Sequence, residues 1–358
     1  MRCAPEKEIA LDRTGRLALA HDSLQGLSCG DALGAQFFVP GRVLAPGPDP
    51  GDLSDGRWPT APWPWTDDTE MACTVVTELH DLPETDSAGT DSAGTGRAGI
   101  DQDRLALRFA QRCEPYRGYG PGSVVTLHAV RDGVPWRRAA AEAFGGRGSL
   151  GNGAAMRVAP LGAYFCGDID RTVEQAVASA QVTHAHPEGI AGAVAVAAAA
   201  CVAATARVGS LALAPATMLA AVAEVAPAGV VRNGIMRSID LLDVAFPQAA
   251  YRLGNGSQAT AQDSVPFSLW VAATHLEDYP TAIATCILAG GDVDTTAAMA
   301  GGIVAAHTGI GSRTVPDHTP DGAPDAADGG GRTVTGVPTG WLASREPLPD
   351  WMPPIAPS

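Results

Sequence analysis

The chain has 358 residues, 46% of them hydrophobic and only 18% charged, which is enough apolar material for a sizeable core in one large domain or two ordinary ones. Aromatics make up 5% and small residues are abundant, a composition that favours closely packed helices over a β-sandwich. The formal net charge of −15 argues against a general nucleic-acid binder, which needs a basic footprint, but leaves room for a nucleotide held by metal ions and backbone N–H groups.

Residues 1–15 form an N-terminal tail without an apolar h-region, so no signal peptide is expected. Leu17, Leu24 and Asp31 then recur at helical spacing with Leu27 on the same face, while Gly26, Gly30 and Gly34 make a flat stripe suited to close packing. A Pro-rich loop follows over 40–64, and a helix is predicted over 66–82. DSAGT occurs twice, at 86–90 and 91–95, and marks a flexible low-complexity insertion over 84–100. Helices are expected over 103–113, 137–144, 172–181, 187–206, 216–226, 260–275, 279–288 and 294–307, with a further segment near 235–244. A Gly-rich loop spans 145–153; 317–335 is polar, Gly-rich and expected to be loose. The tail carries Trp341 and Trp351, which would pack back on the body. No run of alternating β-branched residues occurs, so the fold class is all-α: a domain over 16–315 followed by a loose C-terminal segment over 316–358.

The apolar stretch 190–206 is mostly Ala and reads as a buried helix rather than a membrane span. Seven scattered cysteines without a CxxC read as reduced thiols of a cytoplasmic protein, with neither a disulfide frame nor a zinc site.

Two acidic clusters lie far apart. One is Thr66-Asp67-Asp68-Thr69, the other Asp292-Val293-Asp294-Thr295 after Gly290-Gly291. Carboxylates and hydroxyls with no His or Cys among them form a hard-oxygen set that suits Mg²⁺ or Mn²⁺ rather than Zn²⁺. If folding joins the clusters, four carboxylates can hold two cations and make a hydrolytic site. Each cluster also has a plain explanation. Thr66 is a good N-cap, Asp67, Asp68 and Glu70 suit the positive end of a helix, and Asp294-Thr295 opens another. The second cluster is no EF-hand, because Ala297 and Ile303 stand where Gly and Glu are needed.

Residues 146–151 match GxGxxG, with Asp168 and Asp170 at roughly the distance of a ribose-binding acid, but a helix precedes them where a dinucleotide fingerprint needs a strand. The loop, extended by Asn152 and Gly153, could cradle phosphate or simply join two helices. Ser28 lies in a GxSxG match through which helical period runs unbroken, so it reads as packing. His184 and His186 form one HxH without a third ligand, which suits hydrogen bonding, or contact with a ribose hydroxyl or phosphate, better than metal binding.

Taken together, the chain resembles the ADP-ribosylglycohydrolase family. GDALG at 30–34, WTDDT at 65–69, RGYGPG at 117–122, GRGSLGNGAAMR at 146–157, THAHP at 183–187 and GGDVDTTAAMAGG at 290–302 follow the family's order. The resemblance implies a compact orthogonal multi-helix globule with a central binuclear Mg²⁺ site, Mn²⁺ being a possible substitute. The implied metal ligands are Thr66, Asp67, Asp68, Asp292, Asp294 and Thr295, with Asp67, Asp68 and Asp292 also catalytic. Gly148, Ser149, Leu150, Gly151, Asn152 and Gly153 would line the diphosphate; Gly118, Gly120 and Gly122 would approach the ribose and diphosphate. His184 would touch the substrate and Phe144 would offer a face to adenine. The implied reaction cleaves the bond at the anomeric carbon of the distal ribose. It would release ADP-ribose from a modified protein, nucleic acid or small molecule, with RGYGPG and GRGSLGNG leaning toward serine-linked, other O-linked and polymeric ADP-ribose. A monomer with no membrane partner is expected. A non-catalytic ADP-ribose binder, or a hydrolase of another phosphorylated metabolite, is the alternative. The chain departs from the family pattern twice: Phe38 stands where a Glu is expected after GDALG, with Gln36 nearby unable to serve as a base, and Leu150 stands where an aromatic is expected.

Overall fold

A computed structural model describes residues 11–37, 58–83, 99–316 and 331–354. Within them lie fifteen α-helices and two short strands, an all-α architecture. In chain order the helices are α1 (Arg13–Gly34), α2 (Asp67–His80), α3 (Gln102–Arg112), α4 (Pro121–Arg131), α5 (Trp136–Gly146), α6 (Ala159–Tyr164), α7 (Ile169–Gln181) and α8 (Pro187–Val208). They continue with α9 (Pro215–Val225), α10 (Val230–Ile239), α11 (Phe246–Leu253), α12 (Ala261–Thr274), α13 (Tyr279–Ala289), α14 (Val293–Thr308) and α15 (Thr339–Ser344). The strands β1 (Ser312–Pro316) and β2 (Gly331–Thr335) pair antiparallel, with Arg313 opposite Val334. Expectations placed on Phe38, the DSAGT repeats, most of the Pro-rich loop and 317–330 lie outside the described residues.

Local chemistry sets the helix starts. The carboxylates of Asp12, Asp101, Asp168 and Asp278 each accept an N–H from the first turn that follows. Proline opens α4, α8, α9 and α13, where its missing donor costs nothing. Asp168 is thus the cap of α7, and the GxGxxG match before it follows a helix rather than a strand.

The core is organised around α1, α8, α12 and α14. Helix α8 is the apolar Ala-rich segment, and nearly its whole length is buried against α6, α7, α12 and α14. Its length and hydropathy would suit a membrane span, yet here it is an interior helix. The glycine stripe of α1 lies directly on α14: a Cβ at Gly26 or Gly30 would run into Ala305 and the carbonyls of Gly301 and Ala297. At the C-terminal end Trp341 sits among Trp58, Trp63 and Tyr279, with ring centroids 4.6, 6.2 and 5.9 Å away.

Several local expectations need correction. Residues 331–335, read as loose, form β2, because pairing with β1 supplies hydrogen bonds that composition does not reveal. Helix α5 is regular only to Glu142: Ala143 is extended, and Phe144 and Gly145 take left-handed angles (φ 53° and 70°) that turn the chain into the Gly-rich loop. Helices α4, α6 and α11 stand where no helix was expected. Among α4's residues only Thr126 and Leu127 are buried, while α6 and α11 are six and eight residues long.

Candidate functional site

The close approach of α1 and α14 builds the site. Gly34 lies so near α14 that a Cβ there would stand 2.7 Å from the Cα of Asp294. One turn earlier on α1, Asp31 is fully buried and faces the start of α2. Its Oδ2 accepts the backbone N–H groups of Thr66 (2.9 Å) and Thr69 (3.2 Å) and the Thr69 hydroxyl. Its Oδ1 faces the Thr66 hydroxyl at 2.7 Å. Asp31 therefore anchors the first turn of α2 and fixes the direction of Asp67 and Asp68.

The two acidic clusters meet. Oxygens of Asp31, Asp68 and Asp294 all lie within 4.8 Å of one another. Asp68 Oδ2 sits 3.1 Å from Thr66 Oγ1 and 3.4 Å from Thr295 Oγ1, joining residues 227 apart in sequence. Thr66 also caps α2, its Oγ1 accepting the N–H of Asp68 at 3.4 Å, so the capping and clustering readings hold at once. Asp292 stands at the N-cap of α14 yet caps nothing with its side chain; its Oδ2 instead accepts the Asn152 amide at 2.7 Å.

Electrostatics show what such crowding does. Burial, then the Asp31 carboxylate and more weakly Asp292, push Asp67 up to about 8. Asp68 and Asp294 rise well above the usual carboxylate range, from burial first and then from their acidic neighbours. Asp292 rises less, because its hydrogen bond from Asn152 opposes the effect of burial. Asp68 Oδ1 is buried without any hydrogen-bond partner. An orphaned carboxylate oxygen amid like charges is what a hard divalent cation would satisfy, and every donor here is oxygen.

The Gly-rich loop closes one side. Gly148 (φ 73°) lies against Ala185 and His186, and a Cβ there would meet the His186 backbone nitrogen at 2.6 Å. Ser149 Oγ accepts the N–H of Gly151 at 3.2 Å, and the carbonyl of Leu150 accepts the Ala261 N–H at 3.0 Å. Asn152 donates to both Ser264 and Asp292, tying the loop to the second acidic cluster. Gly151 and Gly153 lie beside the His184 ring. The two histidines of THAHP separate: His184 bonds Thr183, whereas His186 caps α8 by accepting the Glu188 N–H at 3.1 Å.

The RGYGPG glycines divide. A Cβ on Gly118 (φ 103°) would stand 3.3 Å from Asp67 Oδ1, so this glycine lines the acids. Gly122 lies under the Phe144 ring, which is 58% exposed and offers its outer face to solvent. Gly120 faces open space before α4. Ser28 sits buried inside α1 and bonds the Gln25 carbonyl, a packing residue.

Asp31 enters the sequence reading only as a helical position within GDALG, not as a site residue. Its signal was present, a carboxylate on the same face as Leu17 and Leu24, where solvent cannot reach. The six described cysteines are all buried and free.

The chain is similar to known proteins over most of its length. The ADP-ribosylglycohydrolase family profile matches residues 12–329. An uncharacterized protein of Archaeoglobus fulgidus is 29% identical over 292 residues, covering 78% of this chain and 84% of its own. ADP-ribosylhydrolase ARH3 of Mus musculus is 28% identical over 329 residues, 80% of this chain and 83% of its own. The solved structure of an ADP-ribosylglycohydrolase-related protein complex superposes with a TM-score of 0.53 at 22% identity, over 82% of this chain and 89% of that one, a likeness of fold. With the motifs in order and the two acidic clusters brought together, this chain belongs to the ADP-ribosylglycohydrolase family.

Proposed function

We propose that this chain is a Mg²⁺-dependent ADP-ribosyl hydrolase that cleaves the N- or O-glycosidic bond at the anomeric carbon of ADP-ribose. The observation that carries the reading is the meeting of Asp68 with Asp294 and Thr295, together with the unpartnered Asp68 Oδ1. Thr66, Asp67, Asp68, Asp292, Asp294 and Thr295 would hold the cations, with Asp31 beside them chiefly as the anchor whose Oδ2 binds Thr66 and Thr69. Bound Mg²⁺ would supply orientation of the ribose hydroxyls and polarisation of a water. Asp67, half-buried at the rim beside Gly118, is the carboxylate placed to accept that water's proton. The crowd of carboxylates favours the positive charge that develops on the ribose as the bond breaks. The 148–153 loop supports the diphosphate, and Phe144 supplies one face for adenine.

The substrate is ADP-ribose attached to a protein, a nucleic acid or a small molecule. The RGYGPG and GRGSLGNG motifs make O-linked conjugates the first to try. Asp67→Asn and Asp292→Asn should each abolish release of ADP-ribose from a panel of arginine-, serine- and nucleic-acid-linked substrates with Mg²⁺ present. Unchanged release in either variant refutes the site. A second reading, a non-catalytic ADP-ribose binder, is favoured by Phe38 standing where the family pattern has Glu. Calorimetry that shows tight ADP-ribose binding without turnover of any linkage would decide for it.

A further inference from the structure

Beneath the Gly-rich loop lies a buried cation without a counter-charge. Arg157 is fully buried, and no carboxylate among the described residues pairs with it. It donates to the carbonyls of Ser179 (2.8 Å) and Gly153 (3.3 Å) and to Thr183 Oγ1 (2.9 Å). Thr183 Oγ1 in turn lies 2.8 Å from His184 Nδ1.

The direction of this chain follows from counting protons. The guanidinium can only donate, so it occupies one lone pair of Thr183 Oγ1. The hydroxyl has a single proton and two possible acceptors, His184 Nδ1 at 2.8 Å and the Ala180 carbonyl at 3.5 Å. That carbonyl already accepts the backbone N–H groups of Thr183 (3.1 Å) and His184 (2.9 Å). The proton therefore goes to His184 Nδ1, which places the ring proton on Nε2. Burial, and secondarily Arg157, hold His184 down to about 3, so the ring is neutral across the physiological range. His184 is only 3% exposed, and its Nε2 has no hydrogen-bond partner among the described residues. Nε2 stands 3.5 Å from where a Cβ on Gly151 or on Gly153 would be, so it faces the turn that those two glycines leave open.

We propose that Arg157, acting through Thr183, locks His184 as an Nε2–H donor aimed at an anionic oxygen of the ligand's diphosphate in the 151–153 turn. Arg157 and Thr183 are positioning residues, and His184 is the group that touches ligand. The assignment of the anion to a diphosphate rests on the proposed function above; the tautomer does not.

The test uses the full chain with ¹⁵N-labelled histidine. Long-range ¹H–¹⁵N spectra of the wild type should show a protonated Nε2 and an unprotonated Nδ1 for His184, unchanged from pH 5 to pH 8. Thr183→Val keeps the side-chain shape and removes the relay. It should mix the tautomers and weaken ADP-ribose binding by about three- to tenfold, the worth of one hydrogen bond. Thr183→Ser should restore both, which a purely structural role for the hydroxyl would not require. Arg157→Lys, checked for folding by circular dichroism, should weaken binding in the same way. A wild-type His184 that is protonated on Nδ1, or a Thr183→Val variant with unaltered tautomer and affinity, overturns this proposal alone. The expected tautomer in a wild type that does not bind ADP-ribose overturns the ligand half together with the functional reading.

Discussion

The side-chain amide of Asn152 donates to the Asp292 carboxylate at 2.7 Å and so joins the Gly-rich loop to the second acidic cluster across 140 residues of sequence. The same nitrogen lies 2.9 Å from Ser264 Oγ on α12. A neutral donor at this position orients Asp292 and opposes, without cancelling, the cost that burial puts on its charged form.

Asn152→Ala should therefore weaken divalent-cation binding. Partners behind a metal ligand typically contribute about 10- to 100-fold in affinity. Calorimetric titration with Mg²⁺ or Mn²⁺ measures this, and Ser264→Ala, which removes only the other partner, should leave affinity within a few-fold of wild type. Equal losses in the two variants would argue for general loosening of the loop.

Crowded carboxylates make the cation-free protein less stable than it could be. Adding Mg²⁺ at a hundred times its dissociation constant should raise stability by about 2.7 kcal/mol, seen as a higher melting temperature that chelator reverses. Asp68→Asn removes a carboxyl whose ionisation is penalised by burial and by Asp31, Asp67 and Asp294. In chelator it should melt above the wild type and respond little to Mg²⁺. A wild type whose melting ignores Mg²⁺ would contradict a cation site here.

Gly30 lies against the Ala297 carbonyl with no room for a methyl group. Gly30→Ala should cost about 1–3 kcal/mol in urea unfolding, because both partners at the contact are helix backbone. Gly120, which faces open space, is the control, and Gly120→Ala should be nearly neutral.

His307 and the bidentate Arg332 lower the Glu277 carboxyl from its ordinary 4.5 to about 2. A carboxyl depressed in the folded state adds stability that is present above its unfolded value and lost as pH falls through the folded one. Glu277→Gln should thus lower the melting temperature at pH 6, and the difference should fade between about pH 4.5 and 2. A difference that persists unchanged at pH 2 would refute the assignment.

Much of this molecule was legible in its sequence because the relevant signals are local. The Ala-rich α8, the Thr66 cap of α2 and the glycine spacing of α1 each follow from propensity and period within one segment. What escaped was non-local. Strand β2 exists only because β1 offers it hydrogen bonds, and α4 buries too little to leave an amphipathic trace. Along the chain Asp31 is one more position on a buried face; packing alone brings Thr66 and Thr69 to its oxygens.

The linear chain by itself determined most of the helices, the oxygen-rich chemistry of the two acidic clusters and the small-residue stripe that lets α1 and α14 touch. Only the tertiary structure decided which acids come together, which carboxylate serves as anchor, and which groups surround His184. The reason is that charge repulsion, orphaned lone pairs and proton direction depend on distances of about 3 Å between groups far apart in sequence, and such distances are set by packing, not by order along the chain.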